Sequence, residues 1–548
     1  MARIAAQLPI RRRAVLLTIY LLVLWGITAS GRFLPNLVRQ DKFDDDAQQH
    51  VWWAYQFANP ALFPHDEMLR FMSGPPCAPP GYKAMYQLFA PYFDAQRFSE
   101  SIPFVLSLLL MGTALLLGRQ VGGSWAAGII MAIVVTDRFY FDHLMGGFPR
   151  SWGLLIMLFA MWALIARRLA LLGAALFAAG LFYPPAIPTP AMCAVVVLGL
   201  DLLKTRKMPR GWIPCGVLSV AAVVMMLIVM KGLPPEFGPV VTADQARHMP
   251  EFQPDARAEY FGVGWKTFIF DSPLSGFGQP MSEVLTFAAA VLLSVVIFGN
   301  FLPREGWLLL VGSLLSFIAA HLLLFHMHVP NRHVQYPLVV FRIIWLAALA
   351  KPLLALASRL LDRWPALSGR RSLTVTVVLV LVMIDFAANS SRRLHKEMAK
   401  PVDQDRENAI AFIRSLPPDV LVAAHPYDGD FIPLRTQHSV LAGWETYHPY
   451  WMGWYHYIQP RVEAEIKATY ASDWSEVAGL HVKYGVGVFL VNADRYKDEK
   501  SIWFCRPYTA DDVERAEIGR NKGFALLNPP PDRVLYRSGR FSVVRLSP

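Results

Sequence analysis

Charge is what this sequence has least of. Asp, Glu, Lys and Arg make up 17% of its 548 residues, against roughly 25% in soluble domains. The deficit is local: long apolar runs fill residues 14–390, while residues 391–548 have an ordinary soluble composition. A wholly soluble enzyme is excluded, and a polytopic membrane protein with a C-terminal soluble domain is implied. Cysteine is scarce too. Four cysteines without C-x-x-C spacing exclude a zinc-ribbon or disulfide scaffold. Cys193 and Cys215 fall in or beside apolar runs, and Cys77 and Cys505 fall in polar stretches, where a bridge is permitted but not paired by spacing. There is no internal repeat, and most apolar runs lack mid-span charge, which fits a secondary transporter poorly. The net charge of +11 comes from Lys and Arg at the ends of apolar runs, a topology signal that argues against nucleic-acid binding.

The runs themselves fall near 14–30, 101–118, 122–136, 151–166, 169–186, 187–203, 212–230, 282–302, 307–325, 337–357 and 372–390. The first is longer than a signal-peptide core, so it reads as a retained helix. About eleven transmembrane helices follow, the two around the proline-rich "LFYPPAIPTPAM" being the least regular. With the N-terminus cytoplasmic, the inner connections hold Arg11–Arg13, Arg119, Arg167–Arg168, Lys204–Arg210, Arg304 and Arg359–Arg371. The opposite set holds the long loops 31–100 and 231–281 and nearly all the acidic residues. This asymmetry predicts a transmembrane domain over 1–390 in the inner (plasma) membrane and a periplasmic or extracellular domain over 391–548. The latter reads as mixed α/β. "DQDRENAIAFIRSLP" and "RVEAEIKATYASDWSEVAGLHVKYG" have helical periodicity, and "VLVAAHP", "YGVGVFLVN", "VLYRSG" and "FSVVRLS" read as strands.

Every notable polar cluster lies on the outer side. "FDDDAQQHVWW" places Asp44, Asp45 and Asp46 just after the first run. A helix starting there puts Asp46 and His50 one turn apart, with Asp44 as a natural N-cap. Capping and solvation alone are the plainer reading; a catalytic carboxylate is the sharper one. Asp66 follows in "LFPHDEML". "TDRFYFDHLMGGFPRSW" holds Asp137, Asp142 and His143, a donor set suited to Mg²⁺ or Mn²⁺, and Arg150, suited to a phosphate. "HMHVPNRHVQYPLVVFR" adds Arg332 at a helix end and Arg342 within an apolar run, which is costly unless paired or facing a cavity. "GWETYHPYWMGWYHY" brings Trp444, Glu445 and Tyr447, whose aromatic faces suit sugar rings as well as membrane interfaces.

This layout resembles the GT-C class of membrane glycosyltransferases. The resemblance rests on an odd span number, an acidic first outer loop, acids in the outer loop after the third span, and the mid-chain loop "TADQARHMPEFQPDARAEY". "GGFPRSW", "VPNRHVQYPL" and "DFIPLRTQHSVLAGWETYHPYWMGWYHYI" are also similar to a group of multispanning bacterial proteins with no assigned donor or acceptor. The class implies a polyprenyl-phosphate- or diphosphate-linked sugar donor and a glycan, lipid or protein acceptor. Asp45 or Asp46 matches its first-loop acid by position, with His50 beside it. Arg150, Arg332 and Arg342 would meet the lipid phosphate; Asp137, Asp142 and His143 would hold a cation. Asp44, Asp66, Trp444, Glu445 and Tyr447 would meet sugar or acceptor. The class often has Asp-Glu where this chain has Asp-Asp-Asp followed by His, so the acting Asp and metal dependence stay open. A transporter, or a non-catalytic scaffold for envelope assembly, is the alternative.

Overall fold

The computed structural model describes residues 10–39, 41–136, 138–254, 256–362, 371–497 and 522–547. Each of the apolar runs forms a helix. Among the described residues, 7 helices are long and apolar enough to cross a membrane: Ile19–Val38, Ala95–Gly122, Pro184–Thr205, Trp212–Lys231, Met281–Phe298, Arg304–Leu322 and Arg332–Leu356. Ser151–Ile165 and Leu169–Phe182 are apolar but shorter. The chain is a multi-pass helical membrane protein. The prolines of "LFYPPAIPTPAM" do punctuate it: Leu169–Phe182 ends, Pro184–Ala186 makes a 3₁₀ turn, and a new helix starts at Pro188. Proline lacks the amide hydrogen that would continue the ladder, but it suits a first turn.

Small residues set the closest helix packing. Leu169–Phe182 lies against Trp212–Lys231, and a methyl at Gly173 would come within 2.8 Å of the Cys215 backbone. The helix Arg371–Ala399 packs along Ile10–Val38 and runs past residue 390. The boundary expected there therefore falls inside a helix.

All four strands read from the sequence are present, as one sheet of order β1-β2-β4-β3, with β1 Leu421–Ala424, β2 Val486–Asn492, β3 Val534–Ser538 and β4 Phe541–Arg545. β1 and β2 are parallel, β2 and β4 antiparallel, and β3 and β4 form a hairpin. Gly539 turns that hairpin at φ 50°, and a Cβ there would strike the Asp405 carboxylate. The helices Gln404–Arg414, Met452–Thr469 and Trp474–Tyr484 flank the sheet. Glu465 is fully buried beside it and accepts from the amides of Ala424 and Ala442, at 3.4 and 3.3 Å. Burial pushes its carboxyl well above the ordinary range. The native state then keeps a proton that the unfolded chain loses, so this group's contribution to stability falls as pH rises above the usual carboxylate pKa. Glu465→Gln keeps both acceptor bonds. Its thermal unfolding midpoint at pH 8 should be no lower than that of the parent, with a flatter pH profile. Glu465→Ala should lose about 3 kcal/mol.

The loop 231–281 is laced to the C-terminal residues. The Val241 amide donates to Tyr450 O at 2.9 Å, and the Met452 and Gly453 amides donate to Pro239 and Gly238. Tyr447 and Tyr455 both donate to the buried Glu251 of that loop. Val241, Phe252, Tyr260 and Phe325 form a separate apolar cluster, with Tyr450 packed against it.

Candidate functional site

The acidic stretch after the first helix folds as a single short helix, Asp45–His50. Asp44 is its N-cap, accepting from Ala47 N at 3.3 Å, while its own amide donates to Glu100 Oε1 at 3.0 Å. The side chain of Asp45 lies outside the described ones. Asp46 and His50 share one face of the helix, separated by one turn.

The "GGFPR" loop packs directly against that helix. Gly146 has φ 70°, and a methyl group there would meet Ala47 Cβ at 2.6 Å and Asp44 Oδ1 at 2.8 Å. Only glycine allows both the left-handed backbone and the close approach. This contact presents Arg150 to Asp46, and the two form an ion pair. Phe148 packs between Arg150 and His50: its ring lies 4.5 Å from the Arg150 guanidinium and stacks on His50 at 5.9 Å and 9°. The Tyr336 hydroxyl donates to Arg150 O at 3.3 Å.

Three more segments complete the cluster. Arg332 opens the helix Arg332–Asp362 and donates to Gln335 at 2.7 Å. Among the described residues no carboxylate pairs with it. Gln335 also contacts His143 Nε2 at 3.4 Å. A strand-like addition to β1 carries the aromatic tail inward: the Val422 amide donates to Ser439 O, and the Leu441 amide to Val422 O. Trp444 and Glu445 follow, Glu445 N donating to Asp430 Oδ1 at 3.0 Å. Arg257, from the loop 231–281, bridges to Glu445 at 2.7 Å and lies 4.7 Å from the Trp444 ring.

Electrostatics ties these walls together. His50 feels Asp46, Glu445, Arg150 and Arg257. His448, whose ring is 6.3 Å from His50, feels Arg257 and His328. Tyr450 feels Arg257, Arg332 and Glu445. Burial lowers all three imidazoles below the usual range, His328 to about 3. They are neutral at physiological pH. Yet His328 is open to solvent by its exposed surface, and Arg150 and Asp46 keep side-chain exposures of 37% and 32%.

The sequence-derived candidates divide on this geometry. Asp46, His50, Arg150, Arg332, Trp444 and Glu445 come together. Asp44 and Asp66 are helix caps; half-buried Asp66 accepts from Met68 N at 2.8 Å and Leu69 N at 3.1 Å. Tyr447 is fully buried against Glu251. Arg342 lies on an exposed face ten residues along the helix from Arg332, which is about 15 Å of rise. Asp142 pairs with Arg32 at 2.6 Å, and Asp137 and Cys505 lie outside the described residues. Among those described, no three His, Cys, Asp or Glu side chains converge as metal donors. Asp142 with His143 gives one carboxylate, already bound by a guanidinium. That is too few oxygen donors for Mg²⁺ or Mn²⁺, so no step below passes through a cation. Arg257 and His448 were not legible as site residues, although both stand in loops marked by their acid and aromatic content.

No family model matches the chain, and no curated protein matches it. Solved structures do. ArnT from Cupriavidus metallidurans bound to undecaprenyl phosphate aligns at TM-score 0.54 and 13% identity, covering 98% of this chain and 99% of that one. The Archaeoglobus fulgidus oligosaccharyltransferase aligns in the apo form at TM-score 0.53 and 12% identity, covering 91% and 72%. The same archaeal enzyme, AglB, with an inhibitory peptide and a dolichol-phosphate, aligns at TM-score 0.50 and 12% identity, covering 92% and 72%. Both are GT-C glycosyltransferases, and the fold of this chain is GT-C-like.

Proposed function

We propose that this chain is a GT-C-type glycosyltransferase. It moves a sugar from a polyprenyl-phosphate- or diphosphate-linked donor to a glycan, lipid or protein acceptor at the outer face of the membrane. In this reading the N-terminus is cytoplasmic, and residues from the end of helix Arg371–Ala399 onward form a periplasmic domain over a substrate chamber at the Asp46–Arg150 cluster. The observation that carries it is the contact of Asp46 with Arg150, together with an Arg332 that has no carboxylate partner among the described residues. A base and a phosphate cradle are the two parts that this chemistry demands.

The steps follow from that pairing. A donor phosphate entering the chamber competes for Arg150 and offers bidentate contacts to Arg332. Asp46, released from its guanidinium, accepts the proton of the acceptor nucleophile. The nucleophile bonds to the anomeric carbon as the bond from that carbon to the phosphate oxygen breaks. The lipid phosphate leaves with the electron pair, its charge held by the arginines. Trp444, held by Arg257, offers a flat face for a sugar ring. Neutral His50 and His448 offer hydrogen bonds without adding positive charge near the reacting centre.

The test uses purified full-length protein, radiolabelled polyprenyl-phosphate sugars and an envelope extract. Label should move into an acceptor fraction, with polyprenyl phosphate released in equal amount. Full transfer by a protein carrying both Asp45→Asn and Asp46→Asn would sink the proposal.

A further inference from the structure

A second binding feature lies on the far side of the segment that carries the acidic helix. His50 packs against Phe148 and His448; Tyr55, five residues on, lines two adjoining cavities of about 370 and 490 Å³. The cavities share Tyr55, Asp94 and Gln437, so they form one trough with two chemistries. One half is aromatic, lined by Tyr86, Phe89, Tyr92, Phe93 and Phe98. The other is cationic, lined by Arg39, Arg97, Arg414 and Arg435, with Glu100 and Glu407.

Not all of that charge is neutralised. Arg39 pairs with Asp41, and Arg435 with Glu407. Asp94 is spent as the cap of the helix Ala95–Gly122. Arg414 reaches only the carbonyl of Arg435, and Arg97 has no carboxylate partner among the described residues. Arg97 also stands in the first turn of its helix, where the dipole repels a cation. Gln437, the left-handed C-cap of the helix Ile432–Thr436, stands at the seam of the two halves.

The trough sits where the spans Ile19–Val38 and Ala95–Gly122 end against the C-terminal residues. Its aromatic lip is open: Tyr92 is 77% and Phe93 49% exposed. Along the helix from Arg97, the side chains of Val105, Leu108 and Leu109 are exposed on the same broad face. A phosphate at Arg97 and Arg414 would therefore place an acyl chain along an apolar stripe that already faces outward.

We propose that this trough binds an anionic phospholipid of the adjacent leaflet, its phosphate held between Arg97 and Arg414 and its chain lying against Val105–Leu109. Glu100 lines the trough and also accepts the Asp44 amide at the base of the acidic helix. The seated headgroup thus adjoins the residue that steadies that helix. The site stands apart from the chamber and does not depend on the glycosyltransferase reading.

The experiment uses the full-length protein in neutral detergent and a fluorescent short-chain phosphatidylglycerol, read by anisotropy. Saturable binding is expected, weakened at least about tenfold in Arg97→Gln/Arg414→Gln, and unchanged in Asp46→Asn. Phosphatidylcholine and millimolar inorganic phosphate should fail to displace the probe. Gel filtration and thermal unfolding of the double variant check the fold, and Arg97→Lys should retain most of the binding if folding is intact. Equal affinity in the folded double variant overturns the proposal. So does displacement by phosphatidylcholine, by inorganic phosphate, or by polyprenyl phosphate in preference to phosphatidylglycerol.

Discussion

Asp46→Asn lowers kcat for sugar transfer by about 10²- to 10⁴-fold, the range of a lost general base, while KM for the lipid-linked donor stays within a few-fold. Both halves of this expectation come from the ion pair with Arg150. Asn keeps a side-chain oxygen that Arg150 can still hydrogen-bond, so the "GGFPR" loop keeps its place against the helix. What Asn loses is the ability to take a proton. If Asp46 served only to hold Arg150, Asn, which keeps that hydrogen bond, would leave kcat close to the parent value. Steady-state kinetics at varied donor and saturating acceptor separates the two outcomes. Asp45 is the control that the sequence cannot supply: Asp45→Asn should leave kcat within about tenfold if Asp46 is the base.

Much of this site was legible because membrane chains make charge informative. Asp46, His50, Arg150 and Arg332 stood out as polar groups at the ends of apolar runs, where ionised side chains are costly unless used or wet. The helices and the four strands followed from hydrophobic period and turn residues. Arg257 was hidden for the opposite reason. It lies in a long polar loop, where one more arginine carries no signal. Its significance arises only when the backbone pairing of Val241 with Tyr450 brings that loop under the C-terminal residues. Arg342 misled by the same rule that found Arg332. Its place in an apolar run is unusual, but one turn count along the helix puts it about 15 Å from Arg332. Asp66 and Asp44 show how capping mimics function: each is an acid at a loop-to-helix junction, and each is consumed by the amides of the helix it starts. Spacing alone does not distinguish a cap from a base. The neighbour does: among the described side chains, Asp46 forms an ion pair with a guanidinium from another segment, Arg150.

Arg332→Gln should lower kcat/KM for the lipid-linked donor by about 10²- to 10³-fold, the cost of removing one charge-stabilising donor from a developing oxyanion. Gln still fills the position and can bond Gln335, so the helix start survives. The guanidinium, which has no carboxylate to rearrange from among the described residues, is lost. Arg332→Lys should restore part of the activity, since a point charge remains but the bidentate fork does not. Arg150→Gln is expected to behave differently although the residue type is the same. Its loss removes a phosphate contact and also frees Asp46 from its partner, so the two effects oppose each other at the base and add at the leaving group. The loss in Arg150→Gln should then fail to multiply with that of Asp46→Asn, because the two side chains form one ion pair. Arg332→Gln lacks that link to Asp46, and its loss should multiply with that of Asp46→Asn. Comparing the two double-variant cycles on one donor reports which arginine acts only on phosphate and which also acts through the base.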